Sequence, residues 1–191
     1  MRFIGDLHGN MLLYSNLIKD CKKSIQVGDI GHGFTHIPDF GPTHTHIHGN
    51  HDNPRLAVMH KRFLGRFGLT PEGIFYVSGA YSIDRKSRIQ GVSLFEREEL
   101  SYEEFSKCIT LYGDNFQKIK AVVSHDAPFE ILKMIVDSPI NSTTTSLLET
   151  LRQMYSPPKW VFGHHHKFFK KKYGGTMFFC VPENSSIDIE I

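Results

Sequence analysis

Cysteine is scarce in this chain: Cys21, Cys108 and Cys180 are the only three, and no C-x-x-C spacing occurs. An odd, scattered set excludes a disulfide framework and fits a reducing compartment. No apolar run approaches the ~20 residues that a membrane span needs. Met1-Arg2-Phe3-Ile4 runs straight into Gly5-Asp6 and leaves no room for a secretion leader. A cytoplasmic protein with no membrane partner is the expectation. Excess charge is lacking too. The formal net charge is +2 over 191 residues, too weak a field to imply nucleic-acid binding, although it does not exclude it. No internal repeat, linker or low-complexity stretch divides the chain, so one domain over residues 1–191 is expected. With 40% hydrophobic and 22% charged residues, its composition is that of an ordinary globular protein.

Histidine is the outlier, at 12 residues. Imidazole ligates metals and moves protons near neutral pH. Placement matters more than number. His8, His51, His125, His164 and His166 each stand beside Gly, Asp, Asn or Ser where a strand is expected to end.

The apolar Arg2–Ile4 predicts a first strand, and Asn10 caps a helix over 11–21, with Leu13, Leu17 and Ile18 on one face. Strands follow over 24–27 and 43–48, separated by a Gly/Pro/Thr loop at 31–43. Strand, helix, strand predicts a right-handed βαβ unit and a parallel sheet. Ligands of such sheets sit beyond the carboxyl ends of the strands, where Asp6, Asp29 and Asn50 fall. A helix is predicted over 54–67, and strands over 74–83 and 89–94, joined by a turn at 84–88. Ser101-Tyr102-Glu103-Glu104 is a capping box that opens a helix to about Tyr112. A strand at 119–123 ends in Ser124-His125. Helical spacing recurs at 129–136 and 142–154, where Pro157-Pro158 stops it. Strands at 160–162, 168–172, 176–181 and 187–191 close the chain. The class is therefore α/β.

Phosphate esters resist hydrolysis because negative oxygens screen the phosphorus and the alkoxide leaves poorly. Two divalent cations about 4 Å apart answer both difficulties by binding phosphoryl oxygens, acidifying a water and stabilising the developing charge. Such a pair needs a bridging carboxylate plus neutral N and O donors, a set that suits Mn, Fe, Zn, Ni or Co.

The residues that match this need are Asp6-x-His8, Gly28-Asp29, Gly49-Asn50-His51-Asp52, Ser124-His125 and Gly163-His164-x-His166, in this order. Together they resemble the calcineurin-like metallophosphoesterase superfamily. The resemblance implies two mixed β-sheets packed as a sandwich and flanked by helices. It implies a dinuclear, metal-dependent phosphoesterase acting on monoesters or diesters through metal-activated water. Asp6, His8 and His166 would hold one cation, Asn50, His125 and His164 the other, and Asp29 would bridge them. Manganese is the first expectation, with Fe, Zn, Ni, Co or Mg as alternatives. His51 would face the leaving-group oxygen, and Asp52 would orient His51 and raise its pKa. Gly49 would let the backbone turn so that Asn50 reaches the metal. The partner would be a phosphate ester, a small molecule or nucleotide. A non-catalytic interaction module on the same fold and a nuclease stay open as alternatives. The stretches 79–85, 90–93 and 98–101 are similar to a compact bacterial and phage branch of the superfamily.

The chain departs from the common second motif: His32 stands where a second Asp is usual, and Gly33 where phosphoprotein phosphatases carry Arg. His165 is expected to point away from its neighbours, and His44, His46 and His48 to pack along one strand face. Arg85 and Arg88 are expected on a solvated turn, and Cys180 in the core. Lys170-Lys171-Lys172 is expected to form a solubilising sheet edge.

Overall fold

Short β-branched and aromatic stretches alternate with capped helices, and the computed structural model of residues 1–191 follows that rhythm. In chain order the elements are β1 (Arg2–Ile4), α1 (Met11–Ile18), β2 (Ser24–Gln26), β3 (His44–His46), α2 (Pro54–Ala57), β4 (Phe67–Leu69), β5 (Ile74–Val77), α3 (Tyr102–Asn115), β6 (Ala121–Ser124), α4 (Phe129–Leu132), α5 (Thr143–Met154), β7 (Lys159–Phe162), β8 (Phe169–Tyr173), β9 (Thr176–Cys180) and β10 (Ser186–Asp188). The Asn10 side chain accepts from the Leu13 amide to start α1. Reciprocal capping boxes, Ser101/Glu104 and Ser142/Thr145, start α3 and α5.

The strands form two mixed sheets. One has the order β10-β1-β2-β3, the other β4-β5-β6-β7-β9-β8. The central pairs β1/β2, β2/β3, β5/β6, β6/β7 and β7/β9 are parallel, and the outer strands β10, β4 and β8 run antiparallel to their neighbours.

Alternation along each strand sorts side chains to opposite faces and builds the layers. Phe3, Ile25, Val27, Ile74, Val123, Val161 and Val181 point inward and make one core between the sheets. Their neighbours Phe75, Val77, Val122, Trp160, Phe162 and Phe178 point outward, against Cys108 and Tyr112 of α3 and Leu147, Leu148 and Leu151 of α5. On the other flank, Ile4 packs with Tyr14 and Ile18 of α1. The result is an α/β sandwich flanked by helices. The buried Trp160 indole donates to Ser124 Oγ at 2.8 Å, so its polar atom is satisfied. No helix is long and apolar enough to cross a membrane.

Three predicted segments differ, the helix expected over 129–136 stopping at Leu132. The helix expected over 54–67 stops at Ala57, because residues 62–64 pair with β3 instead: the His46 amide donates to Arg62 O and the Leu64 amide to His46 O. Gly65, at φ 120°, then turns the chain into β4. The strands expected to form a hairpin across 74–94 are also cut short. β5 ends at Val77, residues 85–87 form one 3-10 turn, and 89–94 is a turn rather than a strand. Ile83, Ile89 and Val92 all stay exposed there.

Candidate metal centre

β1, β2, β3, β6 and β7 each end at the same edge of the sandwich, and each is followed within four residues by a candidate ligand. Asp6 lies beyond β1, Asp29 beyond β2, Asn50 beyond β3, His125 beyond β6, and His164 beyond β7. Two groups of donors result. Asp6, His8 and His166 bring ligand atoms within 4.8 Å of one another, and so do Asp29, His125 and His164. Asn50 joins the second group, with its Oδ1 3.2 Å from His125 Nε2. The expected ligand residues are therefore all gathered at one place. Asp6, Asp29, Asn50 and His125 are buried, while His8 and His166 face solvent, so the centre is open on one side.

Strain marks the same place. Six non-glycine residues have positive φ, and four of them are His8, Asp29, His164 and His166. A left-handed residue with a Cβ costs of order 1–3 kcal/mol, and such cost tends to collect at functional sites.

The glycines before the ligands are needed for space. A Cβ on Gly49 would lie 2.1 Å from Asp29 Oδ1 and 2.5 Å from His125 Nε2. One on Gly28 would lie 2.2 Å from His125 Nδ1, and one on Gly163 2.4 Å from Asp6 Oδ1. Each strand end must be bare so that a side chain from another strand, for Gly28 and Gly163 one of the opposite sheet, can cross it. Gly49 lies outside the left-handed region, so the sharp backbone turn expected of it is not its reason.

Neighbouring groups set the ligand orientations. His125 Nδ1 donates to Val27 O at 2.8 Å, which turns Nε2 toward Asp29 Oδ2, 3.4 Å away. Nε2 thus faces two oxygens, and a proton or a cation must lie between them. Burial opposes protonation of His125, but the Asp29 carboxylate outweighs it and raises the pKa to about 10. Burial likewise favours the neutral form of Asp29, yet His125, His51 and His8 hold its pKa below the ordinary range. Burial keeps His164 neutral, at about 4. His166 is raised by its hydrogen bond to Asp6, 3.1 Å away. Asn50 Nδ2 donates to Ser82 Oγ at 3.1 Å and Ser82 Oγ to Glu98 Oε2 at 2.7 Å, which aims Asn50 Oδ1 inward.

This donor set fits divalent cations. Asp29 Oδ2 is buried and accepts no hydrogen bond. An orphaned carboxylate oxygen is costly unless a cation takes it up. Imidazole, carboxylate and amide oxygen together suit the intermediate divalent metals.

The expected pairing of Asp52 with His51 is not the one found. The Asp52 carboxylate accepts from the amides of Ile30, Gly31, His32 and Gly49 and so clamps two ligand-bearing loops together. His51 lies instead beside Arg88, whose Nη2 contacts His51 Nδ1 at 3.0 Å. Burial, reinforced by Arg88, lowers the His51 pKa, opposite to the expected direction. Arg88 is correspondingly not on a solvated turn: its side chain is 5% exposed, and its Nε pairs with Asp84 at 2.8 Å. A carboxylate–imidazole pair that sequence adjacency did not suggest is Asp126–His165, at 3.0 Å. His32 faces neither metal group. Its Nε2 lies 2.9 Å from His46 Nε2, in a buried cluster with His60.

Sequence reasoning missed Ser82, Glu98 and Asp126, and put Arg88 on a solvated turn. For Asp126 the signal was present, since it directly follows Ser124-His125. The other three come from the irregular 78–100 segment, whose path no local pattern encodes.

No protein-family model matches this chain. No curated protein matches its sequence either. Among solved structures, the fold is similar to a phosphopantetheinyl hydrolase from Mycobacterium tuberculosis, at 15% identity and TM-score 0.50, covering 96% of this chain and 89% of that one. It is similar to GAP50, the anchor in the inner membrane complex of Plasmodium, at 9% identity and TM-score 0.50, covering 97% of this chain and 72% of that one. One fold thus serves a hydrolase and an anchor, and the side chains of the site have to carry the functional argument.

Proposed function

We propose that this chain is a dinuclear metal-dependent phosphoesterase of the calcineurin-like metallophosphoesterase superfamily, acting on a small-molecule or nucleotide phosphate ester in the cytoplasm. The observation that carries this reading is the adjacency of two donor groups around Asp29, whose buried Oδ2 accepts no hydrogen bond. Asp6, His8 and His166 would hold one cation, Asn50, His125 and His164 the other, with Asp29 between them. Manganese fits this donor set, as do Fe, Zn, Ni, Co and Mg. When bound, such a pair supplies charge for the phosphoryl oxygens and acidifies a water for in-line attack.

The chain's own residues do the rest. His125 is held in one tautomer by Val27 O, and Asn50 in one orientation by Ser82 and Glu98. His51 stands over the open side, its ring centroid 5.0 Å from that of His8, where the ester oxygen of a bound substrate would lie. Arg88, buried behind His51, fixes that ring in place and adds positive charge toward the phosphate. The Asp52 clamp keeps the loops carrying Asp29 and Asn50 in register.

A non-catalytic interaction module on the same fold is the second reading, since the fold is shared with GAP50, an anchor. The filled ligand set favours the enzyme. The test is a substrate panel after reconstitution with Mn, Ni, Zn, Mg or Fe, covering a chromogenic monoester, a chromogenic diester, cyclic nucleotides and a phosphopeptide. Metal-dependent turnover of at least one ester is expected. Inactivity across the panel with every metal would favour the module.

A further inference from the structure

Beside the metal centre lies a cavity of about 440 Å³. Asp29, Asn50, His51 and His164 line its inner end. The remainder is of different chemistry. Tyr81, Ile83, Leu132, Val136 and Ile140 give it an apolar wall, set among carboxylate, imidazole, hydroxyl and ammonium groups. Phosphate has no use for such a wall. Ile83 is 73% exposed and Ile140 42% exposed, although each belongs to a cavity wall that continues into the buried Leu132. Apolar side chains left open to water around a concave site are typical of ligand-binding pockets.

We infer that this wall is a subsite for the organic group of the ester, and that it takes a flat, partly apolar group such as an aryl ring or a nucleobase. The inference rests on the phosphoesterase reading and adds the substrate class. A phosphate held at the ligand end directs its ester substituent along the cavity, between the 81–84 loop and the 132–142 segment. A simple alkyl chain would use the isoleucines but could not stack on Tyr81, whose ring also lines the cavity. A ring carrying heteroatoms uses both. A methyl ester would leave the wall wet.

The experiment is calorimetric binding of methylphosphonate, butylphosphonate and phenylphosphonate to the full chain loaded with Mn. Phenylphosphonate is expected to bind roughly tenfold tighter than methylphosphonate, from burial of part of the ring. In an Ile83→Ser/Ile140→Ser double variant that ratio is expected to fall toward one. Equal affinity of methyl- and phenylphosphonate in the unaltered protein would overturn the subsite and leave the phosphoesterase reading standing. Butylphosphonate binding as tightly as phenylphosphonate would overturn the assignment to a flat group. Binding of none of the three would overturn the phosphoesterase reading, and the subsite with it.

Discussion

Replacing Gly49 by Ala adds one methyl group, at the point where two strands' ligands meet. The added Cβ would lie 2.1 Å from Asp29 Oδ1 and 2.5 Å from His125 Nε2. Neither neighbour can yield easily. Asp29 Oδ1 accepts from the His51 amide at 2.8 Å, and its backbone is already left-handed. His125 is tied to Val27 O at 2.8 Å. Overpacking of this kind costs about 1–3 kcal/mol. The loss of unfolded-chain freedom returns about 0.4–1 kcal/mol. The net loss is about 1–2 kcal/mol, a fall in Tm of roughly 2–8 °C for a chain of this length. The larger effect is on metal binding, since ligands must keep their distances to within about 0.2 Å. Mn affinity measured by calorimetry is expected to fall at least about tenfold, the scale seen when ligand support is disturbed. Gly175→Ala is the control. No atom lies within 4 Å of its Cβ, but its φ is +92°, so it should lower Tm slightly and leave Mn affinity alone. Unaltered Mn affinity in Gly49→Ala would refute the claim that this glycine is there for space.

Asp29→Asn and His125→Ala are each expected to abolish metal-dependent turnover, a loss of more than about a hundredfold, while far-UV circular dichroism stays that of the parent; full turnover in both would sink the mechanism. Ser82→Ala frees Asn50 to rotate and is expected to weaken Mn binding by about tenfold, which a calorimetric titration would reveal, whereas parental affinity would mean that Asn50 needs no support. Burial, aided by the charge of His60, lowers the His32 pKa from 6.5 to about 4. Below pH 6.5 the unfolded chain therefore gains a proton that the folded chain refuses, and stability falls until about pH 4, by about 3 kcal/mol from this residue. Urea unfolding at pH 7 and pH 4.5 should show a smaller difference for His32→Gln than for the parent. Some slope should remain, because burial also keeps His46 neutral; an unchanged difference would show that His32 is not the group titrating.

Legibility followed locality. The strand ends at Asp6, Asp29, Asn50, His125 and His164 could be read because a strand, a turn glycine and a polar residue are all local signals. The capping box at Ser101 was readable for the same reason, whereas the one at Ser142, with Thr145 in place of Glu or Gln, was not. The segment 78–100 was not, because its backbone pairs with little regular structure and its path depends on which buried groups it must serve. Glu98 reaches Asn50 only through Ser82, and Arg88 reaches His51 across 37 residues of chain. Asp52 shows the limit within a single motif. Its place beside His51 in sequence suggested a pair, but four amides from two loops satisfy its carboxylate.

The sequence by itself determined the α/β class and the order of the strand ends that carry the candidate ligands. These depend on residue type and short-range period, which the chain carries wherever it folds. Only the tertiary structure decided which carboxylate meets which imidazole: Asp126 with His165, Asp6 with His166 and Asp29 with His125, while Asp52 meets the backbone. A buried charge takes the nearest donor in space, and the packing of the two sheets sets which donors are near.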